Sequence, residues 1–188
     1  MSLADEIELL GLGMRVRNSP LFLDAQRVTE LSFISHAHSD HIARHRKVIG
    51  TAATLKLAAQ RVGNPAVPLP VPYHQPFELG SLTLELIPAG HVLGSAQLRI
   101  TRNNRRIVYT GDLNPVPSLT AEPAEIAHCD LLVIESTFGH PRYRFPPREE
   151  THEAMADFVL RTQDAGAIPV FLAYSLGKAQ EGMKAMVD

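Results

Sequence analysis

The chain has 188 residues and a net charge of -2, and 45% of its residues are hydrophobic against 20% charged. This length suffices for one ordinary domain with a core, and the composition is globular rather than disordered. The near-neutral charge excludes a strongly basic surface overall, so a nucleic-acid ligand would need a local patch or the site itself. The single cysteine, Cys129, excludes an internal disulfide framework and predicts a reducing, cytoplasmic location. The sequence has neither an apolar run long enough for a membrane span nor a signal-peptide pattern.

The first two thirds of the chain are predicted to form short strands separated by turns. These predicted strands cover residues 14–16, 21–23, 31–34, 82–87, 96–100 and 107–109. The first two flank Asn18-Ser19-Pro20, which predicts a hairpin, and Asn103-Asn104 predicts a turn between the last two. Apolar residues at helical spacing predict a helix over Thr51–Arg61 that ends at Gly63. Recurring prolines from Pro65 to Pro76 predict an extended connection or a sheet edge.

The last third of the chain has a different pattern. The uninterrupted apolar run Leu131–Ile134 is typical of a strand that is buried on both faces. After Pro146-Pro147, helical patterns cover Glu149–Gln163 and Leu176–Val187. The apolar segment Ile168–Leu172 between these helices predicts another buried strand. The end of the chain is therefore predicted to be a βα-type unit.

A histidine-rich run from His36 to His41 directly follows the predicted strand at residues 31–34. In an extended segment, residues two apart point the same way, so His36 and His38 can present both imidazoles to one point. Asp40 and His41 then add a carboxylate and a third imidazole close by. Neutral imidazole and carboxylate are ligands that suit zinc, manganese or iron. Four potential ligands in six residues favour a metal site over a solvated loop that happens to be rich in histidine.

Two further candidate ligands follow later strands. His91 lies between Gly90 and Gly94, which permit a tight turn, and Asp112 follows Gly111 at a strand end. A single aspartate at a strand end is more often a turn cap than a metal ligand. The order and spacing of the two residues after the histidine run nevertheless reinforce the prediction of one shared site.

These residues predict two metal ions separated by about 3.5–4 Å, as in two-metal hydrolases. Three histidines would hold the first ion, an aspartate and a histidine would hold the second, and another aspartate would bridge them. In that order, the predicted ligands are His36, His38 and His91, then Asp40 and His41, and then Asp112. A shared water that loses its proton near pH ~7 would be the nucleophile. Asp24, at a strand end, either orients a ligand histidine or caps its strand.

With these residues in place, the chain resembles the metallo-β-lactamase superfamily. The run from His36 to His41 matches the superfamily signature, and His91 and Asp112 match its later ligands. More narrowly, the chain resembles the β-CASP nucleases, which include the pre-mRNA cleavage endonuclease, RNA-processing enzymes of bacteria and archaea, and a prokaryotic exonuclease-like branch partly associated with DNA ligase. The resemblance extends from about Gly11 over nearly the whole chain. The segments that carry it are residues 36–41, 90–95, 109–113, 134–139, 142–145, 147–150, 168–171 and 173–181.

The resemblance implies an α/β fold with two parts. Residues 4–140 would form the N-terminal half of a metallo-β-lactamase αββα sandwich, and residues 141–188 the start of an inserted β-CASP domain. It also implies that Asp40 and Asp112 act in catalysis together with two divalent ions, zinc first and manganese as the alternative. Glu135 would be the acidic residue that assists a general-acid histidine, although its position at a strand end suits a structural role equally well.

In this family, the inserted domain is followed by a return to the core, which supplies a further histidine ligand and the general-acid histidine. This chain ends before both, and His128, His140 and His152 lie outside the matching motifs. We therefore expect an uncovered face or edge of the sheet. A homo-oligomer, a partner chain or truncation of a longer protein would each account for it.

The predicted activity is that of a metal-dependent phosphodiesterase that cleaves RNA or DNA, either as an exonuclease or as an endonuclease. One alternative is a hydrolase of a small thioester or lactone, and another is an inactive metal-binding chain. Ser95 and Cys129 lack the base and orienting group that a nucleophilic residue needs. The basic residues Arg44, Arg46 and Lys47 either contact phosphates or belong to a solvated helix end.

Overall fold

The computed structural model describes residues 3–11 and 13–187, and it divides the chain into two compact units. The first unit ends at Glu135 and the second begins at Ser136. The domain boundary expected from the sequence lies a few residues later, between residues 140 and 141. The assignment of the second unit to an inserted domain stays a prediction.

The first unit begins with a six-stranded sheet in which the strands follow chain order. Its strands are β1 (Ile7–Leu10), β2 (Gly13–Val16), β3 (Leu21–Leu23), β4 (Leu31–Phe33), β5 (Lys47–Gly50) and β6 (Val67–Pro70). Strands β1 to β3 are antiparallel, as the predicted hairpin requires, and β3 to β6 are parallel. Helix α1 (Ala52–Val62) connects β5 to β6, and the proline-rich β6 forms the outer edge.

The second sheet of this unit has five strands in the order β11-β10-β9-β8-β7. They are β7 (Phe77–Leu79), β8 (Leu82–Pro88), β9 (Ala96–Arg102), β10 (Arg105–Tyr109) and β11 (Leu131–Val133). Neighbours are antiparallel except for β10 and β11, which are parallel. Asn103 and Asn104 have φ of 51° and 60°, the left-handed values of a tight hairpin turn, which confirms the predicted turn.

A hydrophobic core lies between the two sheets. Val16, Leu21 and Phe33 from the first sheet are fully buried, and so are Leu84 and Leu98 from the second. Alternate residues of most strands point to this core, because side chains alternate between the two faces of a strand, whereas β6 is exposed. The two-sheet α/β fold expected from the sequence is confirmed, and α1 packs on β5 and β6 of the first sheet.

The topology brings the ends of several strands to one edge of the unit. The parallel strands β3 and β4 end at the same edge of the first sheet. Because β8 and β10 both run antiparallel to β9, they also end together, as does β11 beside β10. The backbone of Ala96, at the start of β9, donates a 2.8 Å hydrogen bond to the carbonyl of Ser35 after β4. The two sets of strand ends are therefore adjacent.

Two of the segments predicted from the sequence to be buried strands are not buried strands in the structure. Leu131–Ile134 contributes β11, but among the described strands it pairs only with β10, and Leu132 is 48% exposed. Ile168–Leu172 forms no strand, and Leu172 is 98% exposed. An apolar run favours burial, but burial also requires a neighbouring strand or helix that covers it. In the described part of the chain, neither of these two segments is covered on both sides.

In its described residues, the second unit contains the helices α2 (Arg148–Asp164) and α3 (Lys178–Ala185). Helix α2 lies within a residue of its predicted bounds at each end, whereas α3 is shorter than the predicted 176–187. Neither helix has a buried residue. None of the helices in the described ranges is both long and apolar enough to cross a bilayer.

Truncating a core leucine tests the shared core. We expect Leu98→Ala to lower the free energy of unfolding by about 2–5 kcal/mol, because Leu98 is fully buried and its loss leaves a cavity. The control Leu9→Ala, at a position 83% exposed in β1, should cost about 0.5 kcal/mol or less. Urea unfolding followed by circular dichroism measures both, and equal losses would contradict a core between the sheets.

Candidate metal centre

The loop that follows β4 carries the histidine run and is anchored to both sheets. Its first residue, Ile34, donates from the backbone to Ile49 of β5, and Ser35 accepts from Ala96 of β9. These bonds bury Ser35 and His36 at the strand ends, whereas Asp40 lies further out and is exposed. The loop is therefore held in place at its base by the main chain.

Four of the predicted ligands converge on one point. The Nε2 atoms of His36 and His91 lie 2.9 Å and 3.1 Å from Nδ1 of His38. The Oδ2 atom of Asp112 lies 3.7 Å from His36 and 3.5 Å from His91. One atom from each residue lies within 4.8 Å of the others. A single ion with metal–ligand bonds of about 2.0–2.2 Å fits such a group of donors.

His36 is well suited to act as a ligand. Burial, and to a smaller extent the three neighbouring imidazoles, hold the pKa of His36 far below its ordinary value. The ring is therefore neutral at neutral pH, and a lone pair is available for a cation. Its Nδ1 atom is 3.0 Å from the hydroxyl of Ser35, which leaves Nε2 on the side of the other ligands.

The remaining predicted ligands form a second group beside the first. Nε2 of His41 lies 3.6 Å from Oδ2 of Asp40 and 3.3 Å from Oδ1 of Asp112. The two carboxylate oxygens of Asp112 thus face different groups: Oδ2 faces His36 and His91 of the first group, and Oδ1 faces His41. This is the arrangement that a bridging carboxylate between two ions needs.

The charges at the second group also favour a cation. Burial raises the pKa of Asp112, and the negative charges of Glu135 and Asp40 add to that rise although nearby histidines oppose it. Burial lowers the pKa of His41, but its hydrogen bond to Asp24 and the nearby carboxylates outweigh burial, so the net shift is upward. The raised pKa favours the protonated form of Asp112, and a bound divalent cation would stabilise its ionised form instead.

Asp24, directly after β3, has hydrogen-bond partners in three other residues. Its carboxylate accepts from the backbone and the hydroxyl of Ser35 at 2.7 Å and 2.6 Å. It also accepts from Tyr109 at 2.8 Å and lies 2.8 Å from Nδ1 of His41. With the proton of His41 directed at Asp24, Nε2 of His41 is left for a metal. The carboxylate of Asp24 is therefore placed to orient the ring of His41. It also accepts a capping hydrogen bond from the backbone of Ser35.

Ser35 and Tyr109 belong to this arrangement, and the sequence reasoning missed both. Burial, then the charge of Asp24, raises the pKa of Tyr109, so its hydroxyl remains a donor. Tyr109 is 85 residues from Asp24 in the sequence. No local pattern could have revealed the contact, although a serine beside a ligand histidine is a signal that could have been read.

The loop that presents His91 is held by its own backbone and by α1. The hydroxyl of Ser95 accepts a hydrogen bond from the backbone of His91 at 3.0 Å, so this serine stabilises the turn. The carbonyl of Gly94 accepts from the hydroxyls of Thr51 and Thr54 at 2.7 Å and 2.8 Å. Gly94 has φ of 78°, and a Cβ there would lie 2.7 Å from the Cβ of Ala53. Only glycine fits this contact without displacement.

The other sequence candidates lie in varied surroundings. Glu135 is partly buried after β11, and its Oε1 accepts from the backbone of Leu113, the residue after Asp112, at 3.3 Å. Arg46 and Lys47 both lie 3.4 Å from Glu30. Lys47 begins β5, so the predicted helix end is wrong at this position. Cys129 is a half-buried free thiol.

The chain belongs to the β-lactamase superfamily, because the model of the β-lactamase superfamily domain matches residues 11–172. A probable DNA ligase of Opitutus terrae is 37% identical over 85% of this chain and 16% of the ligase. The RNase aCSPSF2 of Saccharolobus solfataricus is 28% identical over 82% of this chain and 37% of that protein. An RNase J-like protein of Methanocaldococcus jannaschii is 36% identical over 50% of this chain and 23% of that protein.

These relatives confirm the resemblance to metallo-β-lactamase-fold and β-CASP nucleases, since two of the three carry ribonuclease names. The chain spans well under half the length of each of them. The similarity therefore concerns part of each relative.

Removing the carboxylate charge of Asp24 tests its orienting role. We expect Asp24→Asn to weaken zinc binding by about 10- to 100-fold, because an amide nitrogen cannot accept the bonds that position His41. The control Tyr109→Phe removes one donor but keeps the carboxylate bond to His41, so it should change the affinity much less. Competition with a chromophoric chelator measures both affinities. Equal affinities of Asp24→Asn and the unaltered chain would contradict the role.

Two glycine substitutions test whether the close contact between Gly94 and α1 positions His91. One substitution adds backbone strain alone, and the other adds strain and a steric clash. Gly94 and Gly80 both have positive φ, but a Cβ at Gly80 has no atom within 4 Å. We expect Gly80→Ala to cost about 1 kcal/mol of stability from strain alone. Gly94→Ala should cost a further ~1–3 kcal/mol through the clash, and it should also weaken zinc binding because His91 is displaced. Unaltered zinc affinity in Gly94→Ala would show that α1 does not position this ligand.

Proposed function

We propose that this chain carries the metal centre of a phosphodiesterase that cleaves RNA or DNA. The observation that carries the proposal is the position of Asp112, whose two carboxylate oxygens face the three-histidine group and the His41 group separately. Two-metal sites of this kind are common among phosphatases and nucleases. The ribonuclease names of two relatives support nucleic acid as the substrate.

The ligand set would hold two divalent ions. Zinc suits the imidazole-rich first group, and manganese suits the carboxylates of the second as well. Such ions supply Lewis acidity, which makes water a nucleophile at neutral pH and offsets the charge of a phosphodiester. His36, His38 and His91 would hold one ion, Asp40 and His41 the other, and Asp112 both.

The other residues of the centre would act on the ligands. Asp24 would keep the proton of His41 on Nδ1, and Ser35 would do the same for His36. Glu135 holds the backbone that follows Asp112 and would orient the general-acid histidine that the family resemblance implies. Asp40 and Asp112 would act by holding the ions in the geometry that catalysis needs.

The outer strand of the second sheet supports the expectation of a covering partner. Leu132 and Ile134, in and just after β11, are 48% and 55% exposed. In the described part of the chain, one edge of β11 pairs with no strand. A second copy, a partner chain or further polypeptide would bury this surface.

The cytoplasm remains the predicted location of the protein.

Metal content and hydrolysis test the proposal together. The chain purified without chelator should contain close to two zinc or manganese ions by elemental analysis. It should hydrolyse bis(p-nitrophenyl) phosphate and a fluorescent single-stranded oligonucleotide, and a chelator should abolish both activities reversibly. The double variant His36→Ala/Asp112→Asn should lose both the ions and the activities, whereas Cys129→Ala should retain them.

Two results would count against the proposal. Faster hydrolysis of a thioester or lactone panel than of the phosphodiesters would favour the small-substrate alternative. One ion or fewer per chain, with no hydrolysis of any substrate after zinc or manganese is added, would favour an inactive metal-binding chain.

A further inference from the structure

The first residues of the second unit combine arginines with aromatic residues and lack acidic ones. Residues 136–147, which we term the aromatic turn, contain Phe138, Arg142, Tyr143, Arg144 and Phe145 and no aspartate or glutamate. Within a chain of net charge -2, this segment carries two arginines and no acidic residue, so it is locally basic. A nucleic-acid ligand of a near-neutral protein needs such a patch.

The three aromatic rings form an exposed cluster. The ring of Phe138 lies 5.3 Å from that of Tyr143 and 5.1 Å from that of Phe145, at interplanar angles of 78° and 83°. Phe138, Tyr143 and Phe145 remain 55%, 38% and 68% exposed. Rings that meet edge to face leave ring surfaces available for a further flat group to stack on.

Hydrogen bonds within the turn hold these rings in position. The backbone of Gly139 donates to Ser136 at 3.0 Å, and that of Tyr143 donates to His140 at 3.0 Å. The backbone of Arg142 also donates to Nδ1 of His140 at 3.2 Å. Prolines at 141, 146 and 147 restrict φ further. A cluster held in this way loses little conformational entropy when a ligand binds.

Two exposed guanidinium groups accompany the rings. Arg142 lies 4.7 Å above the ring of Tyr143 and donates a 2.7 Å hydrogen bond to its hydroxyl. Arg144 is exposed between the two aromatic residues in sequence. Arg148, which follows the turn, is paired with Glu181 at 2.6 Å instead.

We propose that the aromatic turn is a binding site for single-stranded nucleic acid, in which bases stack on Tyr143 and Phe145 and phosphates pair with Arg142 and Arg144. The inference rests on the proposed function and names the form of its substrate. Every base offers a face for stacking in a single strand, whereas a duplex keeps its bases stacked on one another. The absence of acidic residues from the turn suits a polyanion better than a protein surface of mixed charge.

Binding measured without cleavage tests this site. The full chain is titrated in EDTA into a fluorescein-labelled single-stranded oligothymidylate or oligouridylate, and anisotropy reports the affinity. Tyr143→Ala and Phe145→Ala should each weaken binding by about fivefold or more, because stacking on one aromatic ring contributes that much per base. The variant Tyr143→Phe/Phe145→Tyr keeps both rings and should bind as the unaltered chain does.

The arginines and a control ring sharpen the test. Arg142→Gln/Arg144→Gln should reduce the slope of log affinity against log salt by about 1.4, since each phosphate contact in a single strand contributes about 0.7. Phe158→Ala, at a ring 40% exposed on α2 of the same unit, should leave the affinity unchanged. A labelled duplex of equal length should bind more weakly than the single strand.

Several outcomes would overturn the inference. One is unchanged oligonucleotide affinity of the Tyr143→Ala/Phe145→Ala double variant with an unchanged circular dichroism spectrum. Altered self-association of that variant in sedimentation, with unchanged oligonucleotide affinity, would make the turn a protein interface instead. Hydrolysis of bis(p-nitrophenyl) phosphate needs no base-stacking site, so its absence in the unaltered chain would contradict the proposed function without deciding this inference.

Discussion

The buried carboxylate of Asp24 is the point at which the fold and the candidate centre depend on each other. It accepts hydrogen bonds from the backbone and hydroxyl of Ser35 and from the hydroxyl of Tyr109, and it lies within hydrogen-bond distance of Nδ1 of His41. A buried charge is tolerated when several donors replace its water. Asp24 itself follows β3 of the first sheet, and its donors come from β10 of the second sheet and from the loop after β4. One side chain therefore links the strand ends and directs a ligand ring.

This link works because the strand ends themselves are fixed by the core. Asp24 has φ of 43°, a left-handed value that aspartate tolerates better than most residues. The flanking strands β3 and β10 contribute fully buried side chains to the shared core. A centre built on such strand ends is more rigid than one built on long loops, and rigid placement is what two closely spaced ions require.

The two units divide the chemical tasks that the proposals assign to the chain. The first unit concentrates histidines and carboxylates, which attract cations and would repel a phosphate backbone unless ions are bound. The second unit begins with the arginines and rings of the aromatic turn, where a polyanion is attracted directly. With a net charge of -2, the protein offers little long-range attraction, so local sites have to supply the affinity.

The sequence by itself determined the elements and ligands that local patterns specify. Alternation and helical spacing identified most strands and helices, and the spacing of His36, His38 and His41 placed imidazoles together within one loop. Only the tertiary structure decided which distant segments are joined. Examples are the hydrogen bond from Tyr109 to Asp24 and the hydrogen bond from Thr54 to the carbonyl of Gly94 in the His91 loop. It also decided that β11 is an edge strand and that Ile168–Leu172 is no strand. The physical reason is that hydrophobicity and spacing act along the chain, whereas pairing and burial depend on which segments become neighbours in space.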